Sequence, residues 1–531
     1  MALHGKNIIG GKPSAQSGRT FHAVNPVTGE KLTPVFHEGS PAEADQALTM
    51  AEAAFEALRG RSLEDRALLL EAIAAEIETL GDALLERCQA ETGLAAARLS
   101  GERTRTMNQA RLFAQVVREG VWLDVRIDPA LPDRKPLPRP DLRRMHVPLG
   151  PVVVFGASNF PLAISVVGTD TIAALGAGCP VVVKAHPAHP GTSEMIAAAI
   201  GRAVERCGLP PGCFSLLHGA GHEIGMALVK HPLTCAVAFT GSFRGGKALR
   251  DAALARERPI PVSAEMGSTN PVFVLPGALQ ERGEQIAQGY VQSTALGVGQ
   301  FCTNPGLLFG LRGEPMRSFI DAVGRQSAQV SPASMLHAGM CETFAVGVDR
   351  FSAMPGVRVV GRSQAQANRA ATQAALVIFA ADASTFAAKH DLHAEVFGPS
   401  SLIVEADSRE QLLQLANALE GQLTATIHGT ADDLKQHDRL LRVLERKVGR
   451  LVFNGFPTGV EVSPAMHHGG PYPATFDAHW TSIGTAAILR FVRPLCYQGF
   501  PEASLPPPLR NANPRGLWRL IDNRWSQAEV G

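Results

Sequence analysis

Val152-Val153-Val154-Phe155-Gly156-Ala157-Ser158-Asn159-Phe160-Pro161 is the stretch on which the fold turns. Three β-branched residues and a phenylalanine read as a buried strand. The Gly, Ser, Asn and Pro behind them read as a loop, with a helix to follow inside 161–177. The same unit recurs outward from it. Residues 180–184, Phe214–Leu217, Ala236–Thr240 and 261–263 read as four more strands. Helices over 193–207, over 223–229 and from about Gly245 separate them. Strands alternating with helices predict a parallel sheet covered on both faces. Residues 266–480 repeat the alternation more loosely, as a second α/β unit with helices over 280–296 and 410–419.

The flanks differ in character. Residues 1–40 hold Gly, Pro and short alternating pieces such as Phe21-His22-Ala23-Val24, which suggest an N-terminal hairpin. Residues 41–120 are helical by pattern. Pro41-Ala42-Glu43-Ala44-Asp45 puts acids at a helix start, the favourable end of the dipole. Ser62 suits the N-cap of a second helix, and a third is expected from about Gly101. The segment 128–136 is charged and proline-rich, 481–500 looks extended, and 505–510 carries a proline run ahead of Trp518 and Trp525. No internal repeat is visible.

Composition narrows the function. A 531-residue chain with formal net charge +1 has material for two or three domains, but no broad field to recruit nucleic acid or an anionic membrane. The run 145–169 lacks Asp, Glu, Lys and Arg, yet Pro148, Gly150-Pro151, Gly156 and Asn159-Phe160-Pro161 interrupt it. It therefore reads as strand, loop and helix, not as a membrane span. Eight cysteines show no CxxC pair and no metal-like spacing with histidine. The start Met1-Ala2-Leu3-His4-Gly5-Lys6 shows no apolar leader. Reduced thiols, a cytoplasmic location and no metal are expected.

One cysteine stands apart. Gly299-Gln300-Phe301-Cys302-Thr303-Asn304-Pro305-Gly306 places a thiol among turn formers, where it can face a cleft as a nucleophile or lie buried as a structural residue. Taken with Phe155 to Pro161, Ser263-Ala264-Glu265-Met266-Gly267 and Glu395-Val396-Phe397-Gly398-Pro399, it resembles four signatures of the aldehyde dehydrogenase superfamily in the correct order. The resemblance covers roughly residues 5–495. Ser158 to Ala163 and His468-Gly469-Gly470-Pro471-Tyr472-Pro473-Ala474-Thr475 look like the branch that oxidises 2-oxoglutarate semialdehyde, to which NADP-dependent fatty aldehyde dehydrogenases are related.

The resemblance implies an α/β fold of the aldehyde dehydrogenase type. A Rossmann-like cofactor domain would span 1–127 and 151–265, and a catalytic domain 266–480. A small β oligomerisation arm would be formed by 128–150 and 481–500, with 501–531 as a C-terminal tail. The assembly would be a homodimer or homotetramer. Cys302 would be the nucleophile, Asn159 an oxyanion donor together with the Cys302 backbone N–H, and Glu265 the base that activates water. A G-x-G-x-x-G fingerprint is missing; Gly219-Ala220-Gly221 comes nearest. Gly241-Ser242, at a strand-to-helix junction, suits a pyrophosphate or simply an N-cap. The resemblance favours cofactor binding there, with Lys184 on the adenosine ribose. Phe155, Ser158, Gly219, Met266, Gly267, Glu395 and Phe397 complete the cofactor contacts. Many NAD-preferring members carry Glu three residues after that Lys; here Pro187 stands there, which favours NADP while leaving NAD possible. His186, His189 and Arg244 are nearby cations or potential cations. Arg105, Phe160, Phe301 and His468 are the substrate contacts, Arg105 for a far carboxylate, with Arg103 as its alternative. His468 could also tune the thiol. A long-chain aldehyde oxidiser and a thiol hydrolase without redox chemistry are the competing readings.

Overall fold

In the computed structural model, which describes residues 2–530, two seven-stranded sheets lie behind the active region. The first runs Val262–Glu265, Ala236–Thr240, Val152–Phe155, Val181–Lys184, Phe214–Leu217, Asn7–Ile9, Lys12–Ser14. Its first five strands are parallel. They are short, largely apolar runs, mostly buried, as strands covered on both faces must be. The chain builds from Val152–Phe155 first to one side and then to the other. That reversal lies between Val152–Phe155 and Ala236–Thr240, and a crevice opens at their carboxyl ends.

The second sheet runs Arg358–Arg362, Val377–Asp382, Ser400–Ala406, Leu307–Leu311, Val272–Val274, Gln422–His428, Val448–Phe453. All neighbours are parallel except the antiparallel first pair. A third sheet has the order Val492–Gln498, Leu142–Pro148, Arg126–Asp128, Arg519–Ile521, Arg524–Ser526.

Three expectations are corrected. The N-terminal forty residues form two hairpins, and one of them, Asn7–Ile9 with Lys12–Ser14, extends the first sheet. Residues 41–120 form four helices, not three. Pro41–Arg59 and Leu63–Glu78 begin at capping boxes on Ser40 and Ser62. Gly81–Thr92 stops at left-handed Gly93, and Ala96–Glu119 starts five residues before Gly101 with no side-chain cap to announce it. Lastly, Arg519–Ile521 and Arg524–Ser526, read as tail, are strands of the third sheet, as is Arg126–Asp128. Fully buried Arg519 ties this hairpin in by donating to the Asn511 carbonyl at 3.0 Å and the Ala528 carbonyl at 2.7 Å. Among the described residues no helix is long and apolar enough to cross a membrane.

Candidate active site

The thiol sits between the two large sheets. Helix Pro276–Ala295 ends, Gly297, Val298 and Gly299 all take positive φ, and Cys302 follows before strand Leu307–Leu311. A Cβ on Gly299 would stand 2.2 Å from the Gly398 carbonyl, so only glycine lets this loop lie against the Glu395–Gly398 segment. Asn270 Nδ2 donates to the carbonyls of Cys302 at 2.8 Å and Asn304 at 2.9 Å. Asn270 is held in turn by Gln422, whose Oε1 accepts from the backbone N–H groups of Thr269 and Asn270.

Three side chains meet there. Cys302 Sγ lies 3.3 Å from His468 Nε2, which lies 3.1 Å from Glu265 Oε1. Glu265 is the last residue of strand Val262–Glu265, and the Ser482 hydroxyl donates to its other oxygen. His468 is fully buried, its N–H donating to Thr481 Oγ1 at 2.8 Å. Burial pushes the Cys302 thiol well above its ordinary value, and the adjoining Glu265 charge adds to this. Burial would raise Glu265 too, but the His468 and Ser482 partners outweigh it and hold the carboxyl below its ordinary value. His468, expected among the substrate contacts, thus stands at the thiol and the carboxylate.

Asn159 is buried, its Nδ2 donating to the Gln300 carbonyl at 3.1 Å. Its own carbonyl accepts from Arg98 Nη2 at 2.5 Å. Arg98 lies 5.0 Å from the ring centroids of both Phe160 and Phe301, which are edge-to-face at 5.2 Å. Glu102, also buried, accepts from the Leu162 and Ala163 N–H groups at 2.9 and 3.0 Å. A narrow cavity opens beside Cys302, lined by Arg105, Phe160, Ile164, Phe301, Val460 and Ile483 among others. Arg105 leans on the Phe160 ring, its buried Nε without a partner. Arg103 turns away to donate to the Gly81 carbonyl.

The remaining predicted residues border the crevice. Phe155 ends its strand with its ring against Phe239. Lys184 ends the next strand, and Gly219 lies beside its side chain. Burial pushes the Lys184 ammonium down to about 8, against the pull of Glu38. Ser242 is the N-cap of helix Phe243–Leu254, its hydroxyl accepting from Gly245 N–H. Met266 is buried against Gly246, and Gly267 abuts the Glu395 carboxylate. Ser158 and Phe397 are half-buried. His186 and His189 stack on each other, and burial keeps both well disposed to the neutral form. His189 Nε2 bonds the Ala157 carbonyl, so neither histidine is a free cation. Arg244 remains exposed.

Sequence reading missed Arg98, Glu102, Gln422, Thr481 and Ser482. Of these only Arg98 and Glu102 carried a signal, lying four residues apart on one helix face with Arg105.

A thiol, imidazole and carboxylate brought together at the edge of a crevice at the sheet's switch point define an α/β enzyme of the covalent-cysteine class. The aldehyde dehydrogenase family model matches residues 13–333. Over 526 residues the chain is 52% identical to "Alpha-ketoglutaric semialdehyde dehydrogenase 2" of Azospirillum brasilense, covering 99% of this chain and 100% of that protein. It is 44% identical to "Alpha-ketoglutaric semialdehyde dehydrogenase" of Acinetobacter baylyi, covering 99% of each. The chain belongs to the aldehyde dehydrogenase family. Its fold is also that of Staphylococcus aureus betaine aldehyde dehydrogenase in complex with NAD+, with TM-score 0.80 and 19% identity over 94% of this chain and 96% of that one.

Proposed function

We propose that this enzyme oxidises 2-oxoglutarate semialdehyde to 2-oxoglutarate, with a dissociable nicotinamide dinucleotide as hydride acceptor. The carrying observation is Arg105, a cation across an otherwise apolar cavity from Cys302. A keto-acid substrate presents a carboxylate there, and the guanidinium fork grips carboxylates through two hydrogen bonds. An alkyl tail has no use for it. The names of the two relatives agree with this substrate.

The roles follow from position. The proton of Cys302 passes to the His468–Glu265 pair, and sulfur bonds the aldehyde carbon, leaving an oxyanion. Asn159 Nδ2 and the Cys302 N–H hold that oxyanion. A nicotinamide dinucleotide bound in the crevice would supply the hydride acceptor that the passage from thiohemiacetal to thioester requires. Once the pair has passed that first proton to solvent, Glu265 takes a proton from water, whose oxygen adds to the thioester; the acid leaves, and the Cys302 thiolate recovers a proton from Glu265. The crevice fits a dinucleotide: glycines at 241 and 245 keep its floor close to Phe239, and the exposed helix start at Ser242 offers N–H groups to a pyrophosphate. Lys184 and Gly219 would hold the adenosine ribose. Position 187 is proline, so the acid that many NAD-preferring members carry there is missing, which supports NADP over NAD.

The test is kcat/KM for 2-oxoglutarate semialdehyde, pentanal and decanal, each with NAD and with NADP. The keto acid with NADP should give the highest value. A higher value for decanal would overturn the substrate, and a ratio favouring NAD would overturn the cofactor preference.

A further inference from the structure

Cys302, His468 and Glu265 form the one set of three His, Cys or acidic side chains, among the described residues, whose ligand atoms all come within 4.8 Å of one another. They are far apart in sequence, and no cysteine–histidine spacing hints at them. We propose that the cluster is also a binding site for a zinc-class divalent cation, which switches the enzyme off reversibly by occupying the thiol. The inference rests on the geometry of the cluster and is independent of which aldehyde is oxidised.

The donor set is the argument. One sulfur, one imidazole nitrogen and one carboxylate oxygen are the ligand types zinc takes. With Zn–S of about 2.3 Å and Zn–N or Zn–O of about 2.0–2.2 Å, tetrahedral ligand atoms stand about 3.3–3.6 Å apart. Here sulfur to nitrogen is 3.3 Å, nitrogen to oxygen 3.1 Å, and all three atoms lie within 4.8 Å of one another, so side-chain movement alone can close the set on one ion. Ser482 already fixes the second oxygen of Glu265, as an outer partner of a metal-bound carboxylate does. Magnesium and calcium, which take oxygen ligands, do not suit the set.

Binding is an exchange without redox change. The S–H bond of Cys302 breaks, its proton goes to solvent, and a sulfur–metal bond forms. His468 Nε2 gives its lone pair to the metal, which requires the ring hydrogen on Nδ1, a buried atom without a protein partner. Glu265 donates an oxygen lone pair. A metal-tied thiolate cannot add to an aldehyde.

The experiment uses full-length, chelator-stripped protein titrated with Zn2+ against a chromophoric chelator, and with Co2+ as a spectroscopic probe. One Zn2+ per chain should bind and block aldehyde oxidation. Excess chelator should restore activity, and millimolar Mg2+ should have no effect. Co2+ should give a thiolate-to-cobalt absorption that Cys302→Ser removes. His468→Gln, with the thiol intact, should weaken zinc at least ~10–100-fold. In the wild type, Zn2+ should protect Cys302 from iodoacetamide, read by mass spectrometry against the other seven cysteines; this arm needs no variant. No protection of Cys302, no thiolate band, or equal zinc affinity in His468→Gln would each overturn the site.

Discussion

Cys302 is stored as a neutral thiol, because burial and the Glu265 charge both oppose the thiolate. The sign of the pH dependence follows. A raised pKa empties the thiolate at neutral pH and fills it only as pH rises. Alkylation of Cys302 by iodoacetamide in the cofactor-free enzyme should therefore keep accelerating beyond pH ~8.5, where an ordinary thiol levels off. Glu265→Gln removes the opposing charge and should move that profile to lower pH; a wild-type plateau at or below pH 8 would contradict the assignment. The same variant loses the base for thioester hydrolysis. It should release a burst of reduced cofactor and then turn over slowly, whereas normal turnover without a burst would remove Glu265 from deacylation. Cys302→Ala should abolish oxidation and leave cofactor binding intact, as measured by fluorescence titration. Arg105→Ala should lose roughly 1.5–3 kcal/mol of charged hydrogen bonding, or about 10- to 150-fold in kcat/KM. That loss should appear with 2-oxoglutarate semialdehyde and not with pentanal; equal losses on both would end its role as the carboxylate anchor.

Helix Ala96–Glu119 is the element that shapes the substrate side. Arg98, Glu102 and Arg105 fall at i, i+4 and i+7, so one face delivers a pin, its counter-charge and the substrate cation. Arg103, two positions from Arg105, necessarily faces elsewhere, which separates two arginines that sequence left as alternatives. Arg98 joins the Asn159 carbonyl to both site phenylalanines, with Glu102 3.8 Å away. Arg98→Ala should remove the stronger of the two arginine charges that act on buried Glu102, at a cost of up to about 3 kcal/mol. A lower urea midpoint together with a fall in kcat is expected. An unchanged midpoint would show that Glu102 needs only its two backbone donors. The start of this helix was misplaced because Ala95 offers no side-chain cap, so the sequence carries no polar signal at its true first turn.

At the scale of the whole molecule, two of the sheet edges bear on association. Val448–Phe453 closes one side of the second large sheet, with Leu451 38% and Phe453 51% exposed, and Val492–Gln498 closes one side of the third sheet. Unpaired edges carrying exposed apolar side chains are sites of association between chains. We expect a homo-oligomer that uses the Val448–Phe453 edge. Leu451→Asp combined with Phe453→Asp should drop the mass measured by light scattering to that of one chain without lowering helical circular dichroism. An unchanged mass would place the interface elsewhere.

Local chemistry made much of this legible. Short apolar runs alternating with helical stretches announced the five parallel strands, because side-chain burial and turn propensity are properties of a few adjacent residues. Cys302 and Glu265 stood out for the same reason, each within a short marked loop or strand end. The tertiary structure alone decided what those residues touch. His468 reaches Cys302 across 166 positions and Glu265 across 203, and Ser482 reaches Glu265 across 217. Such contacts depend on where two sheets and a returning loop converge, which no local periodicity encodes. The same holds for the last hairpin: Arg519 reads as a surface charge, but three carbonyls that the fold brings around it allow it to be buried in the third sheet.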